Sequence, residues 1–178
     1  VIIVLSFVRQ AVGTQQVPPN LVLHGLALFL TLFIMKPTLD EIGDKAVNPY
    51  LNKQIEGSEA IKLGAESLQK FMLRQTRKND LALFASMSGQ KSIESPEKTP
   101  FLVLVPAFII SELKTAFIMG FCIYLPFLLV DLVISSLLTS MGMVMMPPAL
   151  ISAPFKILLF VLADGWHLVS RSLSMSYG

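Results

Sequence analysis

The sequence predicts an all-α, membrane-associated protein, built from apolar helical hairpins with a polar helical insert. Hydrophobic residues make up 53% of the chain and charged residues 15%, whereas soluble domains carry about 25% charged residues. Nine of the 12 acidic and nine of the 14 basic residues lie between 37 and 98. We therefore divide the chain into an apolar segment 1–36, a polar helical layer 37–99 and an apolar block 100–178. The net charge of +2 does not indicate binding to nucleic acid.

The apolar segment 1–36 is expected to contain one whole helix and the remainder of another. The chain begins with valine, and VIIVLSFV is shorter than the roughly 20 helical residues that cross a bilayer, so we expect a truncated N-terminus. Asn20 follows two prolines and is a favourable N-cap for a helix over 21–35. Lys36–Pro37 is predicted to end that helix, because proline lacks a backbone N–H.

The polar layer predicts short helices that face water on one side. TLDE (38–41) has the pattern of a capping box, in which the threonine caps a helix and the glutamate reaches back to it. The helix that follows is expected to break near Asn48–Pro49 or at Gly57, since these residues interrupt helical geometry.

A second helix of the layer is expected to begin with Ser58 as its cap. Its apolar stripe recurs at helical spacing and predicts one buried face; the stripe consists of Ile61, Ala65, Leu68 and Met72, widened by Phe71. Residues 79–89 predict a shorter helix, and residues 90–99 predict a loop.

The second apolar block opens with residues 101–139, which are too many for one simple span and include Pro126. We expect either a kinked helix or a helical hairpin over this stretch. A methionine-rich loop follows, and residues 149–173 predict one last helix.

Isolated charges in the apolar segments need partners, because an unpaired charge in hydrocarbon costs about 3 kcal/mol or more. Glu112 and Lys156 have opposite signs and lie on different predicted helices. Two interpretations stay open: a salt bridge that orients packing within the chain, or a pair between copies that sets the register of an oligomer. Lys114 is expected to pair in the same way with Asp131 or Asp164.

The loop MGMVMMPP (141–148) also has two interpretations. Met143, Met145 and Met146 either fill an irregular core, for which methionine is suited because it is unbranched and polarizable, or line one constriction between several copies around an axis. Such a ring would close on itself, adapt to a passing chain and exclude ions by dewetting. Gly142 permits the tight turn that either arrangement needs.

The residue patterns indicate neither an enzyme nor a cofactor or metal site. Asp131 and Asp164 lack the glycine-flanked motif expected of an intramembrane aspartyl dyad. His24 and His167 lack the spacing of a metalloprotease helix. A small-solute transporter is the alternative from another class, and it predicts broken helices within inverted repeats. The sequence contains no such repeat.

Six blocks of the sequence, in order, resemble the FliP family of export-gate proteins of bacterial type III secretion. They are VLSFVRQAVGTQQVPPN (4–20), GLALFLTLFIMKP (25–37), PAFIISELKTAF (106–117), LPFLLVDLVISSLL (125–138), MGMVMMPP (141–148) and PFKILLFVLADGWHL (154–168). The resemblance implies a pore-forming structural subunit of the flagellar export gate, which conducts unfolded flagellar proteins and has no enzymatic activity or cofactor. A subunit of the related virulence system, of the SctR type, is the nearest alternative.

The resemblance implies a gasket role for the methionine loop. The family's gasket falls on Met143, Val144 and Met145, with Met146 next in the chain. Here the sequence departs from the usual three consecutive methionines, because valine stands in the middle. A β-branched valine would make the ring stiffer.

The resemblance also implies how the gate assembles. About five copies are expected to assemble with FliQ and FliR into a helical, ring-like gate with a closed top, with Glu112 and Lys156 as an inter-subunit charge pair and with Phe71 and Phe84 as aromatics that support assembly. FliQ, FliR, FlhB and FlhA are the expected partners. The gate is expected in the bacterial inner membrane within the flagellar basal body, raised toward the periplasm, with the polar layer on the periplasmic side.

Overall fold

The structure is a computed structural model that describes residues 1–14, 17–88, 99–143 and 145–177. Within these ranges 84% of the residues are helical and no strand occurs, which confirms the predicted all-α class. The helices are α1 (Ile2–Val12), α2 (Asn20–Ile42), α3 (Asn48–Leu51), α4 (Gly57–Gln75), α5 (Lys78–Met87), α6 (Phe101–Ser140), α7 (Pro148–Leu162) and α8 (Gly165–Met175), with a π-helical turn at Gly43–Val47.

Two helical stretches of the described chain are long and apolar enough to cross a membrane. They are Asn20–Leu51, which comprises α2, the π-helical turn and α3, and Phe101–Ser140, which is α6. The bent pair of α7 and α8 gives a third if it acts as one span. The chain therefore has the membrane-associated character that its composition predicts.

The chain divides into two compact units. The hairpin unit comprises Val1–Thr31 and Ala116–Gly178, and the layer unit comprises Leu32–Thr115. Helices α2 and α6 each contribute residues to both units. The layer unit contains the polar segment together with the adjoining ends of these two helices.

Helix α1 lies in the core of the hairpin unit. Its residues Val4, Leu5, Val8 and Ala11 recur at helical spacing and are all buried, in a cluster with apolar residues of α2, α6, α7 and α8. The contact between α1 and α6 is especially close at a glycine: a Cβ added to Gly120 would lie 2.5 Å from Cδ2 of the neighbouring phenylalanine on α1. The described part of α1 is thus a core helix.

Helix α2 continues through Pro37 to its last turn, so the prediction that Lys36–Pro37 ends the helix is wrong. Proline removes one backbone hydrogen bond, but one i, i+4 ion pair spans Pro37 and a second follows it. Lys36 Nζ lies 3.1 Å from Asp40 Oδ2, and Lys45 Nζ lies 2.6 Å from Glu41 Oε1.

The capping box predicted for residues 38–41 does not form either. Thr38 is a buried residue inside α2, and Glu41 pairs forward with Lys45 instead of reaching back. The chain also stays helical across Asn48–Pro49. The break comes just before Gly57, which was the second of the two predicted positions.

Helix α4 buries only the C-terminal part of the apolar stripe that its sequence predicts. Phe71 and Met72 are buried, but Ile61 is 76% exposed. Gly64 of α4 packs where α2 passes into the π-helical turn: an added Cβ would lie 3.7 Å from an Ile42 methyl group and 3.9 Å from Ala46 Cβ. The expected cap at Ser58 is also absent, since α4 begins one residue earlier without a side-chain cap.

Residues 101–139 form one continuous helix, so the alternative of a hairpin inside this stretch is wrong. The 40 residues of α6 extend about 60 Å at 1.5 Å per residue. A hairpin does form between the second part of α6 and α7. Phe127 packs against Phe160, with ring centroids 6.4 Å apart, and Asp131 contacts Lys156. These two pairs show that the helices are antiparallel.

The predicted last helix over 149–173 is interrupted at an elbow, Ala163–Gly165. The axes of α7 and α8 differ by 61° there, and Asp164 has the left-handed conformation, φ 49° and ψ 52°. Asp tolerates this conformation better than most residues. Gly165 is needed because a Cβ would lie 2.2 Å from Cε2 of Phe160. The elbow therefore depends on Asp164 and Gly165, and the apolar periodicity of the sequence does not indicate a break at these two residues.

Candidate functional site

The methionine loop, defined as Met141–Pro147, closes the antiparallel hairpin of α6 and α7. The end of α6 is a Schellman motif: the N–H of Met143 donates to the carbonyl of Leu138 at 2.9 Å, and the N–H of Gly142 donates to Thr139 at 3.1 Å. Gly142 has φ +75°, a conformation that glycine adopts without strain. Pro148 then occupies the first position of α7, where a missing N–H costs nothing.

The described thioethers of this loop are largely outside the core. Met145 is 99% exposed and Met141 is 71% exposed, whereas Met143 and Met146 are partly covered. The loop surrounds a shallow apolar concavity lined by Gly142, Met143, Met145, Met146, Pro147, Leu150 and Ile151. Core filling therefore does not explain Met145 within this chain. Val144, the middle position of the expected gasket, lies outside the described residues.

A buried polar cluster holds α6 against α7 below the loop; we name it the clasp, and it consists of Asp131, Ser152 and Lys156. Lys156 Nζ lies 2.5 Å from Asp131 Oδ2, and the Ser152 hydroxyl donates to Asp131 Oδ1 at 2.5 Å. The Lys156 side chain is only 7% exposed and that of Asp131 is 33% exposed. Each polar group in the clasp thus has a partner, as burial in an apolar setting demands.

A second polar cluster lies in the layer unit around Asp80, which is buried. The Ser111 hydroxyl donates to Asp80 Oδ2 at 2.8 Å, and Lys114 forms an ion pair with Oδ1. The Arg77 backbone N–H in turn donates to Ser111 Oγ at 2.9 Å. Hydrogen bonds from Lys114 and Ser111 hold the pKa of Asp80 below its ordinary value, against the opposing effect of burial.

These clusters correct part of the predicted pairing of charges. Lys114 forms an ion pair with Asp80, not with Asp131 or Asp164. Asp131 forms an ion pair with Lys156 instead. The residue missed by the sequence interpretation is Asp80, because it lies in the charge-rich layer where one more carboxylate gives no signal. Glu112 and Lys156 as a pair between copies stay a prediction, since the structure contains one chain.

The partnership of Asp131 with Lys156 could have been found from the sequence. The two residues lie at nearly equal distances before and after the methionine loop. In an antiparallel hairpin, residues equidistant from the turn face each other, and Ser152 is one helical turn from Lys156 on the same face. The signal was therefore a symmetry about the loop, which becomes visible only when the loop is taken as the tip of a hairpin.

The two expected assembly aromatics lie in the layer unit. Phe71 is buried, and its ring packs edge-on against Phe108 with centroids 6.1 Å apart. Phe84 on α5 is partly buried. The contribution of Phe71 to the fold of this unit is thus visible, and the role of both residues in ring assembly stays a prediction.

The described part of the chain contains no group of three or more His, Cys, Asp and Glu side chains placed to hold a metal ion. Of the two aspartates considered for an aspartyl dyad, Asp131 is engaged by Lys156 and Ser152, and Asp164 forms the elbow. Taken together, the long apolar helices, the clasped hairpin and the exposed thioethers define an all-α, membrane-associated protein with an exposed apolar tip.

Comparison with known proteins identifies the family. A family model for the FliP family matches residues 1–173. The flagellar biosynthetic protein FliP of Pectobacterium carotovorum subsp. carotovorum is 53% identical over 177 residues, which are 99% of this chain and 69% of that protein. The corresponding proteins of Cereibacter sphaeroides and Bacillus subtilis are 51% and 52% identical over 99% of this chain, and the alignments cover 59% and 80% of their lengths. The chain belongs to the FliP family.

Proposed function

We propose that this chain is a pore-forming structural subunit of the flagellar type III export gate and conducts unfolded flagellar proteins across the inner membrane. Membership of the FliP family supports a flagellar export-apparatus role, as do relatives that are named flagellar biosynthetic proteins. The two long apolar helices support an association with the membrane. A structural role agrees with a described chain in which the buried charges hold helices together.

The observation that carries the proposal is the exposure of the methionine loop. Met145 is 99% exposed at the tip of a hairpin whose two helices are joined by the ion pair of Lys156 with Asp131. Around a symmetry axis, several such tips would bring their thioethers together into one apolar constriction. Methionine side chains are flexible enough to close that constriction and to adapt to a passing polypeptide. The closed ring would exclude ions, because water leaves a narrow apolar pore.

Assembly follows from the same proposal. The expected neighbours are about five copies of the chain itself, together with FliQ, FliR, FlhB and FlhA, in the basal body, with the layer unit toward the periplasm. Many large apolar side chains are exposed to solvent in the single chain; Leu102 is 90% exposed and Leu21 is 84% exposed. Such surfaces are covered in a membrane by lipid or by protein neighbours.

The test is the ion tightness of the assembled gate. Replacing Met143, Met145 and Met146 together with alanine should make reconstituted complexes leak protons while assembly survives, because the ring loses most of its apolar bulk. Met87→Ala is the matched control, since this methionine is 73% exposed but lies on α5. Proton tightness equal to that of the control would contradict the gasket.

The native mass of the subunit, purified in mild detergent with its co-expressed neighbours, is the accompanying measurement. About five copies in one complex are expected, since a ring needs an axis that several loops can surround. A monomer or a two-fold dimer would remove that axis, and it would favour the small-solute transporter.

A further inference from the structure

The clasp uses both oxygens of one carboxylate. Asp131 Oδ2 accepts from Lys156 and Oδ1 accepts from Ser152, each at 2.5 Å. The two donors are four residues apart, on successive turns of the same face of α7. Ser152 is fully buried, and Lys156 is 5% exposed. A charged pair in such a place contributes little net stability, but it is expensive to break, so its function is to specify geometry.

Lys156 also meets the end of a third helix. Gly13, which ends α1 with φ +83°, would place an added Cβ 3.6 Å from Lys156 Cδ and 4.0 Å from Nζ. The ammonium group thus lies beside the C-terminal end of α1, where the helix dipole is negative. Arg9, the basic residue in the last turn of α1, is directed to Asn20, whose Oδ1 it contacts at 2.5 Å. Lys156 is therefore a junction between α1, α6 and α7.

A two-point contact fixes how α7 lies on α6. Sliding α7 by one residue would move its side chains about 1.5 Å along the axis and turn them by 100°, which would separate both donors from Asp131. Sliding it by a whole turn would move them about 5.4 Å, so that at most one of the two donors could still face Asp131 and the two-point contact would be lost. The register of the hairpin is thus set at Asp131, and the hairpin carries the methionine loop at its tip.

We propose that Asp131 is a positioning residue for the methionine loop. By engaging Ser152 and Lys156 together, it sets the height and rotation at which each copy presents its thioethers. The proposal rests on the proposed function of the loop as a gasket. It assigns to Asp131 a role that differs from a pair between copies, because the contacts with Ser152 and Lys156 lie within one hairpin.

The experiment is the proton leak per assembled complex for Asp131→Asn. Complexes with their neighbours would be reconstituted in phosphatidylethanolamine–phosphatidylglycerol vesicles that contain a pH-sensitive dye. Asn keeps an acceptor for Ser152 but strands the buried ammonium. We expect assembly to fall about tenfold or more, which corresponds to 1.4 kcal/mol, and the complexes that do form to leak several-fold more.

Asp164→Asn is the matched control. It makes the same chemical change in the same unit, at an exposed residue whose left-handed backbone Asn also accepts. Neither assembly nor leak should change. If Asp131→Asn lowers assembly but leaves the leak per complex at the level of this control, Asp131 is only a structural residue and the proposal fails.

Two gentler variants keep the test informative if Asp131→Asn does not fold. Ser152→Ala removes one of the two contacts and leaves the ion pair, so assembly should survive with a smaller rise in leak. Asp131→Glu retains the charge and should restore most of the tightness. The proposal would be overturned if complexes with Ser152→Ala leaked no more protons than the unchanged protein and if complexes with Asp131→Glu leaked as much as those with Asp131→Asn.

The outcomes separate this inference from the proposed function. If the methionine-to-alanine variant does not leak, the gasket is wrong and the position of the loop is irrelevant to tightness. If that variant leaks but the clasp variants do not, the gasket stands and the positioning role of Asp131 is refuted.

Discussion

Gly165→Ala should break the elbow between α7 and α8, because no space exists for a methyl group there. The added Cβ would lie 2.2 Å from Phe160 Cε2 and 2.3 Å from Cδ2, where ordinary contacts begin at 3.4 Å. Phe160 is itself 8% exposed and packs edge-on against Trp166, with ring centroids 5.2 Å apart. Its ring must therefore move by more than an ångström and give up this packing, although an apolar cavity lined in part by Phe160 and Gly165 lies beside it.

The magnitude follows from two effects. Forcing an extra methyl group into a packed position costs about 1–3 kcal/mol, and losing the edge-to-face contact with Trp166 costs about 0.5–1.5 kcal/mol. Together they lower the free energy of unfolding by about 2–4 kcal/mol. Gly25→Ala is the control, since no atom lies within 4 Å of its added Cβ. In the helix interior that change should be neutral, or should stabilise α2 by up to about 1 kcal/mol.

The assay is unfolding of the purified subunit in mild detergent, followed by far-UV circular dichroism. The reasoning can be isolated with Phe160→Ala, which removes the ring that causes the clash. In that background Gly165→Ala should cost no more than Gly25→Ala does, and the difference between the two backgrounds measures the coupling. Equal costs of Gly165→Ala in both backgrounds would refute the steric explanation of the elbow.

Three further predictions concern the charges and the layer. Lys156→Ala should lower the free energy of unfolding by roughly 3 kcal/mol; this is the lower end of the range for a broken buried pair, because Asp131 is one-third exposed. The double reversal Glu112→Lys with Lys156→Glu should restore assembly only partly, since the new glutamate faces Asp131, and native mass measures that assembly. Asp80 should make the layer sensitive to acid: with its folded pKa lowered by Lys114, its contribution is complete above about pH 4 and is lost as the pH falls through the folded pKa. Melting temperatures between pH 7 and pH 3 should therefore fall less in Asp80→Asn, and equal slopes would contradict the pairing. Phe71→Ala should cost about 3–5 kcal/mol and expose the layer to protease, and full protease resistance would show that the ring does not hold this unit together.

The start of α2 and the apolar spans were predictable because they depend on local chemistry. Helix α2 begins at Asn20, as its position after two prolines predicts. The predicted capping role is wrong, because the Asn20 side chain accepts from Arg9 and the first helical N–H groups donate to the carbonyl of Pro19. The end at Lys36–Pro37 was not predictable in the same way, since proline only weakens a helix. The chain stays helical because later turns are held by ion pairs and by packing against α4, and such tertiary support is not contained in a two-residue signal.

The candidate site was predictable in part. The methionine loop was located correctly as a connection between two apolar helices, and its turn chemistry at Gly142 is as expected. The partners of the buried charges were not, because opposite charges on different helices can be matched in several ways until the register is known. The elbow at Asp164–Gly165 was missed for a related reason: apolar periodicity continues across it, and only the ring of Phe160 makes the glycine necessary.

The exposed apolar side chains of α4 and α5 have a different meaning from those of α2 and α6. The surface of α6 has the apolar character that lipid can cover. Helix α4 carries Lys62, Glu66 and Lys70 among its residues, so it does not suit hydrocarbon on all sides, and yet Ile61 is 76% exposed. A helix that is too charged on one side for lipid and exposes large apolar side chains on another is best covered in part by protein. The layer unit is therefore where contact between subunits would contribute most to assembly, while the hairpin unit holds the loop in register.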